Sequence, residues 1–463
     1  MRTGMRSDHR FMGRREFLRG AGLLAAGASA APLLSACGSS GAGSSDALVV
    51  WWNQGFYPAE DEAVIQVGRA WEQQSGQRLD LQFYGTQDIA QKEQSAVAAG
   101  QTPDVLFAEK GMTPKHAWEG LLADVTPVVE ALDLTEGALR SAQLYNNEEE
   151  RTAYYCVPMW QFTVSLFHWR SMLADVGMDH ARAPADWAGY WQFWRDAQDA
   201  HRARGNDEVF ALGWPMGTAA GDTNYDTQQA LLAYGVDMFD DQNNLRPVDE
   251  LRGGIADALA WITDLHKQAY TPGDAVNWQD SSNNTYFLNH SVLCTPNGSL
   301  SMPGAVKDED PQQWQDIVTT GFPERAVGGP MPSITLVHDA VVFEASEKKE
   351  MALDFLTFAM RPENMVEILK GGQARWFPVH TQLLEDPYFA QSEDPNIQAV
   401  VAQLRGPTVP SWANLNPAYA QVESLQVWGN ALGRVALQGQ SPQEGADWAL
   451  EQIQEQFEDF DRG

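Results

Sequence analysis

The folded part of the chain begins with an apolar run, ALVVWWN (47–53), patterned as a buried strand. After Pro58 the spacing becomes helical, with Val64, Val67 and Trp71 on one face and Gly76 as the stop. LDLQFY (79–84) alternates as a second strand, a helix over 87–99 stops at Gly100, and PDVLF (103–107) is a third strand. Strand–helix–strand–helix–strand with short loops predicts an α/β fold around a parallel sheet with right-handed crossovers. Ligands of such sheets bind beyond the carboxyl ends of the strands. Those ends carry Asn53-Gln54, Gly85-Thr86-Gln87 and Glu109-Lys110.

The pattern then changes. RTAYYCVPMWQFTVSLFHW (151–169) is one long extended run containing Pro158, and helical spacing follows at 186–203, 226–234, 249–268 and 311–316. FDDQNNLRP (239–247) clusters acids and Asn like a calcium loop. It lacks the Gly and the closing Glu at the required spacing, so a hairpin turn is the better reading. Beyond 318–333 a strand, LVHDAVVFEAS, and a helix over 347–360 resume the first pattern. The tail is helical. In SPQEGADWALEQIQEQF (441–457), Ser441 and Glu444 have capping-box spacing, Pro442 takes the first helical position, and Ala446, Leu450, Ile453 and Phe457 line one face.

The first residues follow another logic. Arg2, Arg6, Arg10, Arg14, Arg15 and Arg19 precede a weakly apolar stretch from Gly20 to Ala36, which is too short and too rich in small residues to span a bilayer. Basic, apolar and then small is the order of an export signal. Arg14-Arg15 followed by Glu16-Phe17-Leu18 resembles a twin-arginine signal, and LSAC (34–37) resembles a bacterial lipobox. Residues 1–37 are therefore expected to be a signal ending at Cys37, the acylated first mature residue. The alternative is a plain cleaved signal with Cys37 incidental. GSSGAGSS (38–45) reads as a flexible tether.

With 463 residues, 44% of them hydrophobic, the chain can build more than one domain. A net charge of −31, with the acids scattered rather than blocked, argues against nucleic acid as a partner. Cys156 and Cys294 lie in strand-like runs. Outside the cytoplasm they could pair, but nothing in the sequence brings them together, and buried free thiols are preferred. P-loop, dinucleotide, G-x-S-x-G, HExxH and C-x-x-C patterns are absent, and no His has ligand spacing to another, so neither a cofactor nor a metal is expected. Tryptophan stands out, with 17 in the chain. Trp71, Trp187, Trp261 and Trp448 have core or helix-packing positions. Trp52, Trp160, Trp214, Trp278, Trp376 and Trp412 lie beside Gly, Pro, Asn or Gln, where a flat ring suits the C–H face of a sugar and the amides its hydroxyls. Core packing is the competing explanation for each of the six.

These segments resemble the extracellular solute-binding proteins of ABC importers, in the sugar-type group that includes maltose-binding protein. VVWWNQ is similar to the family's first strand, and AVAAGQTPDVLFAEKGMTPKHAWEGLLADVTPVV (96–129) to its "aaGxxPDv…GlLadLtp" block. YYCVPMWQFTVSLFHWRSMLADVG resembles the first crossover strand, with His168-Trp169-Arg170-Ser171 where "N-K-d-l" is usual. ASEKKEMALDFLTFAMRPENM, WFPVH and the tail also fit. The resemblance implies two α/β domains, each doubly wound, joined by crossover strands and closing like a hinge. The first would be 46–157 plus about 323–370, and the second 158–322 plus about 371–463. It implies a cleft lined by Asn53, Gln54, Gln87 and Glu109 from the first domain, with Trp160 and Gln161 at the crossover. Tyr225, Trp214, Asn297, Ser299 and Trp412 would come from the second. Leu300 follows Asn297-Gly298-Ser299 where many sugar binders carry an aromatic. The expected function is a monomeric, membrane-tethered, non-catalytic receptor that captures a sugar or polyol and delivers it to ABC permease subunits. The alternative is a lipid-anchored carbohydrate-active hydrolase, which needs two carboxylates flanking a cleft. A surface adhesion or signalling role is a third reading, disfavoured by the closing cleft.

Overall fold

The computed structural model describes residues 46–55, 57–108, 112–307, 309–373 and 375–460. The expected signal, the tether and Cys37 lie outside them. The strands are β1 (Ala47–Asn53), β2 (Arg78–Tyr84), β3 (Val105–Ala108), β4 (Gln143–Asn146), β5 (Arg151–Tyr154), β6 (Val157–Thr163) and β7 (Ser165–Trp169). They continue with β8 (Phe210–Leu212), β9 (Val292–Asn297), β10 (Ile317–Thr320), β11 (Ser333–Val342), β12 (Phe377–Pro378) and β13 (Thr408–Pro410). The predicted opening is present, with helices Pro58–Ser75 and Thr86–Ala99 between the first three strands. Gly76 and Gly100 end those helices at φ 71° and 64°, conformations that cost a side chain far more than glycine.

Two sheets form two lobes. The first has the order β12-β6-β11-β3-β1-β2, with β13 beside β11, and the second β10-β7-β9-β8, while β4 and β5 make a separate hairpin. Neither sheet is all-parallel. β1 runs parallel to β2 and β3, but β11 is antiparallel to β3 and β6, so the returning strand converts a parallel start into a mixed sheet. The run 151–169 divides into three strands. Its β6 section belongs wholly to the first sheet, and the chain passes to the second at Val164. The expected division after 157 therefore moves, and β12 and β13 likewise pair in the first sheet rather than staying with the second domain. Residues 157–169 are buried throughout, so no solvent-facing position marks the change of sheet. Pro158 does not end β6. Lacking an N–H, it sits at a bulge where the register shifts between His338 and Asp339.

Segment 239–247 is a turn, with Phe239 bridging Leu245 and Asp240 accepting from the backbone N–H groups of Gln242 and Asn244. Cys156 and Cys294 are buried free thiols, and burial pushes both above the ordinary thiol range. No helix among the described residues is long and apolar enough to cross a membrane. The last helix, Pro442–Glu458, carries the expected capping box. Ser441 Oγ accepts the Glu444 N–H, and Glu444 Oε2 accepts the Ser441 N–H at 2.7 Å. Ala446, Leu450 and Ile453 are buried, and this face packs on helix Val248–Lys267 of the second lobe. Ser441→Ala is expected to lower unfolding stability by about 1 kcal/mol in urea titrations.

Candidate functional site

Alternation along β6, with the bulge resetting it, decides which side chains face the gap between the lobes. Trp160 lies opposite His338, and by parallel register Trp52 falls beside Phe107, so all four line one hollow beyond the strand ends. The Trp52 and Phe107 rings stack at 5.3 Å, Phe107 and Trp160 stand 4.7 Å apart, and Trp160 stacks on Trp376 at 5.9 Å. Asn53, Gln54, Glu60, Asp61 and Arg375 add polar groups to the same hollow. The Trp160 indole N–H is buried without a protein partner, leaving a donor at the wall.

Glu60 is the polar node of this wall and is itself buried. It stands at the third position of the helix that Pro58 starts. Its carboxylate accepts from the Tyr57 backbone N–H (3.2 Å), the Trp376 indole (3.0 Å) and the Arg375 guanidinium (3.4 Å). Arg375 also lies 4.3 Å over the Trp376 ring. Asp61 accepts the Gly55 N–H at 2.7 Å.

A larger space of about 540 Å³ adjoins this hollow, and Arg375 lines both. Tyr57, Gln373 and Arg375 border it from the first lobe, and Ser299, Leu300, Lys307 and Trp314 from the second. Asn297 anchors the second-lobe wall, for its Oδ1 accepts the Ser299 N–H at 3.1 Å and its amide donates to Asn284. Gly298 must be glycine because a Cβ there would stand 2.8 Å from the Phe162 ring. That approach brings the Asn297–Ser299 turn against Phe162, whose ring meets Trp376 at 5.5 Å. Tyr225 flanks the same turn. Its hydroxyl is pushed well above its usual range by burial and then by Asp222 and Asp226.

Of the residues expected from sequence, Asn53, Gln54 and Trp160 converge in the inner hollow, Ser299 lines the outer space, and Asn297 and Tyr225 stand behind it. Three lie elsewhere. Gln161 is one residue from Trp160 and so on the opposite face of β6, fully buried, its amide donating to the Pro378 carbonyl at 2.8 Å. Trp214 is a core residue, edge-on to Trp191 and Trp261, and Trp412 is buried edge-on to Tyr419. The side chain of Gln87 and all of Glu109 lie outside the described residues. Phe107, Glu60, His338 and Arg375 were missed. Only Glu60 had a local signal, a carboxylate in the first turn after Pro58. Trp52 and Trp376 carried the Trp signal but were not among the named cleft residues. Among the described residues no group of three His, Cys, Asp or Glu could hold a metal.

The profile of the bacterial extracellular solute-binding proteins matches residues 67–399, and the chain belongs to that family. Curated protein sequences yield no match. The fold is similar to an ABC-transporter solute-binding protein of Thermotoga lettingae bound to α-D-tagatose, at 18% identity and TM-score 0.69, covering 89% of this chain and 100% of that one. It is similar to the sugar-binding protein MalE of Xanthomonas citri, at 18% identity and TM-score 0.71, over 89% and 98% of the two chains. The GacH receptor of Streptomyces glaucescens, determined unliganded and with acarbose, gives 16% identity and TM-score 0.67 over 89% and 98%. At such identities the likeness concerns the two-lobed α/β fold.

Proposed function

We propose that the protein captures a neutral sugar or polyol in the gap between its lobes and hands it to an ABC permease. The observation that carries this reading is the convergence of Trp52, Trp160 and Trp376 with Phe107 on one wall, edged by Asn53 and Gln54. The half-buried Trp376 offers its flat ring to the C–H face of a pyranose, with the buried Trp52, Trp160 and Phe107 packed behind it, while the amides take its hydroxyls. Neutrality follows from the charges. Arg375 is paired with Glu60 and Lys307 with Asp394 at 2.8 Å, while Asp61 and Glu309 also line the two spaces, so a phosphate would have to break an ion pair. Tagatose and acarbose, bound by two proteins of similar fold, accord with this class.

Closure of the lobes around ligand uses the binding free energy, and an acyl anchor at Cys37 with the Gly/Ser tether keeps the receptor at the membrane outside the cytoplasm. A hydrolase is less well supported. Glu60 and Asp61 are neighbours on one helix end, each tied to donors of its own lobe, rather than two carboxylates facing across the gap. The test is thermal unfolding and calorimetry of the full-length protein with monosaccharides, oligosaccharides, polyols and sugar phosphates. A ligand at 100 times its Kd should add about 2.7 kcal/mol to stability and be recovered intact. Binding confined to sugar phosphates or peptides, or recovery of a cleaved glycan, would overturn the proposal.

A further inference from the structure

Two lobes that close need a pivot, and one helix of the second lobe grips the chain where it passes between them. Helix Asp222–Ala233 is buried along most of its length, including the polar Gln228 and Gln229. The Gln228 amide donates to the Pro410 carbonyl at the end of β13 (3.2 Å), and its carbonyl accepts the Trp412 N–H just beyond (3.2 Å). One side chain thus brackets Ser411. Gln229 donates to the Pro332 carbonyl, one residue before β11, at 3.3 Å.

These attachment points stand side by side. β11 and β13 are parallel neighbours, joined further by the Ser411 N–H on the Thr335 carbonyl at 2.8 Å. The Val164 N–H, at the passage from β6 to β7, reaches the Ile334 carbonyl at 3.4 Å. Three crossings between lobes therefore lie abreast, and consecutive glutamines hold two of them. At Gln228 a neutral amide suits this place because it donates and accepts at once, and neither glutamine adds a buried charge. Bonds of 3.2–3.3 Å are at the long end of the normal range and can shear as the strands rotate. A second tie runs the other way. Arg140 of first-lobe helix Glu136–Ala142 donates to Asn243 Oδ1 (3.0 Å) and the Asp240 carbonyl (3.3 Å) in the second-lobe turn.

We propose that Gln228 and Gln229 are the pivot clamp that sets how far the lobes open, with Arg140 limiting the same motion. They are positioning residues and line neither of the two spaces described above. The inference rests on the two-lobed capture reading, but its test needs no ligand, so it can fail while solute binding stands. Electron-resonance distances would be measured on full-length, ligand-free protein carrying Cys37→Ser, with labels at Gln73→Cys on the first lobe and Asp207→Cys on the second. A within-lobe pair, Gln73→Cys with Gln101→Cys, is the control. In Gln228→Met/Gln229→Met the inter-lobe distribution should become about twice as wide while the control pair keeps its width. Arg140→Ala should broaden it less. An unchanged inter-lobe width overturns the proposal, and so does equal broadening of the control pair, which would mean general loosening. Should the double variant not fold, Gln228→Met alone decides by the same two readings.

Discussion

Trp376→Ala is expected to weaken sugar binding about 30-fold, the equivalent of roughly 2 kcal/mol for a tryptophan at the centre of a binding surface. Trp376 is only half-buried, stacks on Trp160 at 5.9 Å, and donates to Glu60, so it is shaped for a ligand face while the core does not depend on it. Trp376→Phe keeps the apolar face and loses the bond to Glu60, and should cost less than about tenfold. Trp214→Phe should behave oppositely, lowering stability with little change in affinity, because its ring lies among Trp191, Trp261 and Phe322. Calorimetric titration beside near-ultraviolet circular dichroism separates the two effects. Wild-type affinity in Trp376→Ala would remove the tryptophan wall from the site.

The second large effect concerns pH. Burial raises the Asp339 carboxyl to about 8, and the Cys156 thiol that donates to it pulls only partly the other way. In the unfolded chain the same group titrates near its ordinary value of 3.8. Between these values the folded protein holds a proton that the unfolded chain has released. Stability is therefore greatest below about pH 4 on this account and falls as pH rises, by about 1.4 kcal/mol per unit, levelling above pH 8. Asp339→Asn removes this slope. Relative to the wild type it should gain several kcal/mol between pH 4 and 8, whatever fixed offset the new amide introduces. Denaturant midpoints across that range give the answer, and parallel pH profiles for the two proteins would refute it. Asp226, pushed well up by burial and then by Asp222, contributes in the same direction. Asp339 adjoins His338 at the bulge, so its charging bears on the strand that carries the aromatic wall.

Much of the architecture was legible because its causes are local. Apolar runs, glycine stops and the Ser441–Glu444 box act within a few residues, and β1, helix Pro58–Ser75 and helix Pro442–Glu458 stand where those patterns put them. Helix Asp222–Ala233 starts four residues before its predicted place, because its first turn is polar but buried by the surrounding lobe, which reverses the usual pattern.

The site was legible in composition and illegible in geometry. Six tryptophans had the same local character, yet Trp52, Trp160 and Trp376 line the hollow while Trp214, Trp278 and Trp412 are buried outside it. By itself the sequence determined the family, the order of elements and the presence of rings beside amides. Only the tertiary structure decided which rings meet. A side chain's face follows from strand pairing and from the bulge at Pro158, and a one-residue difference sends Trp160 to the gap and Gln161 to the core.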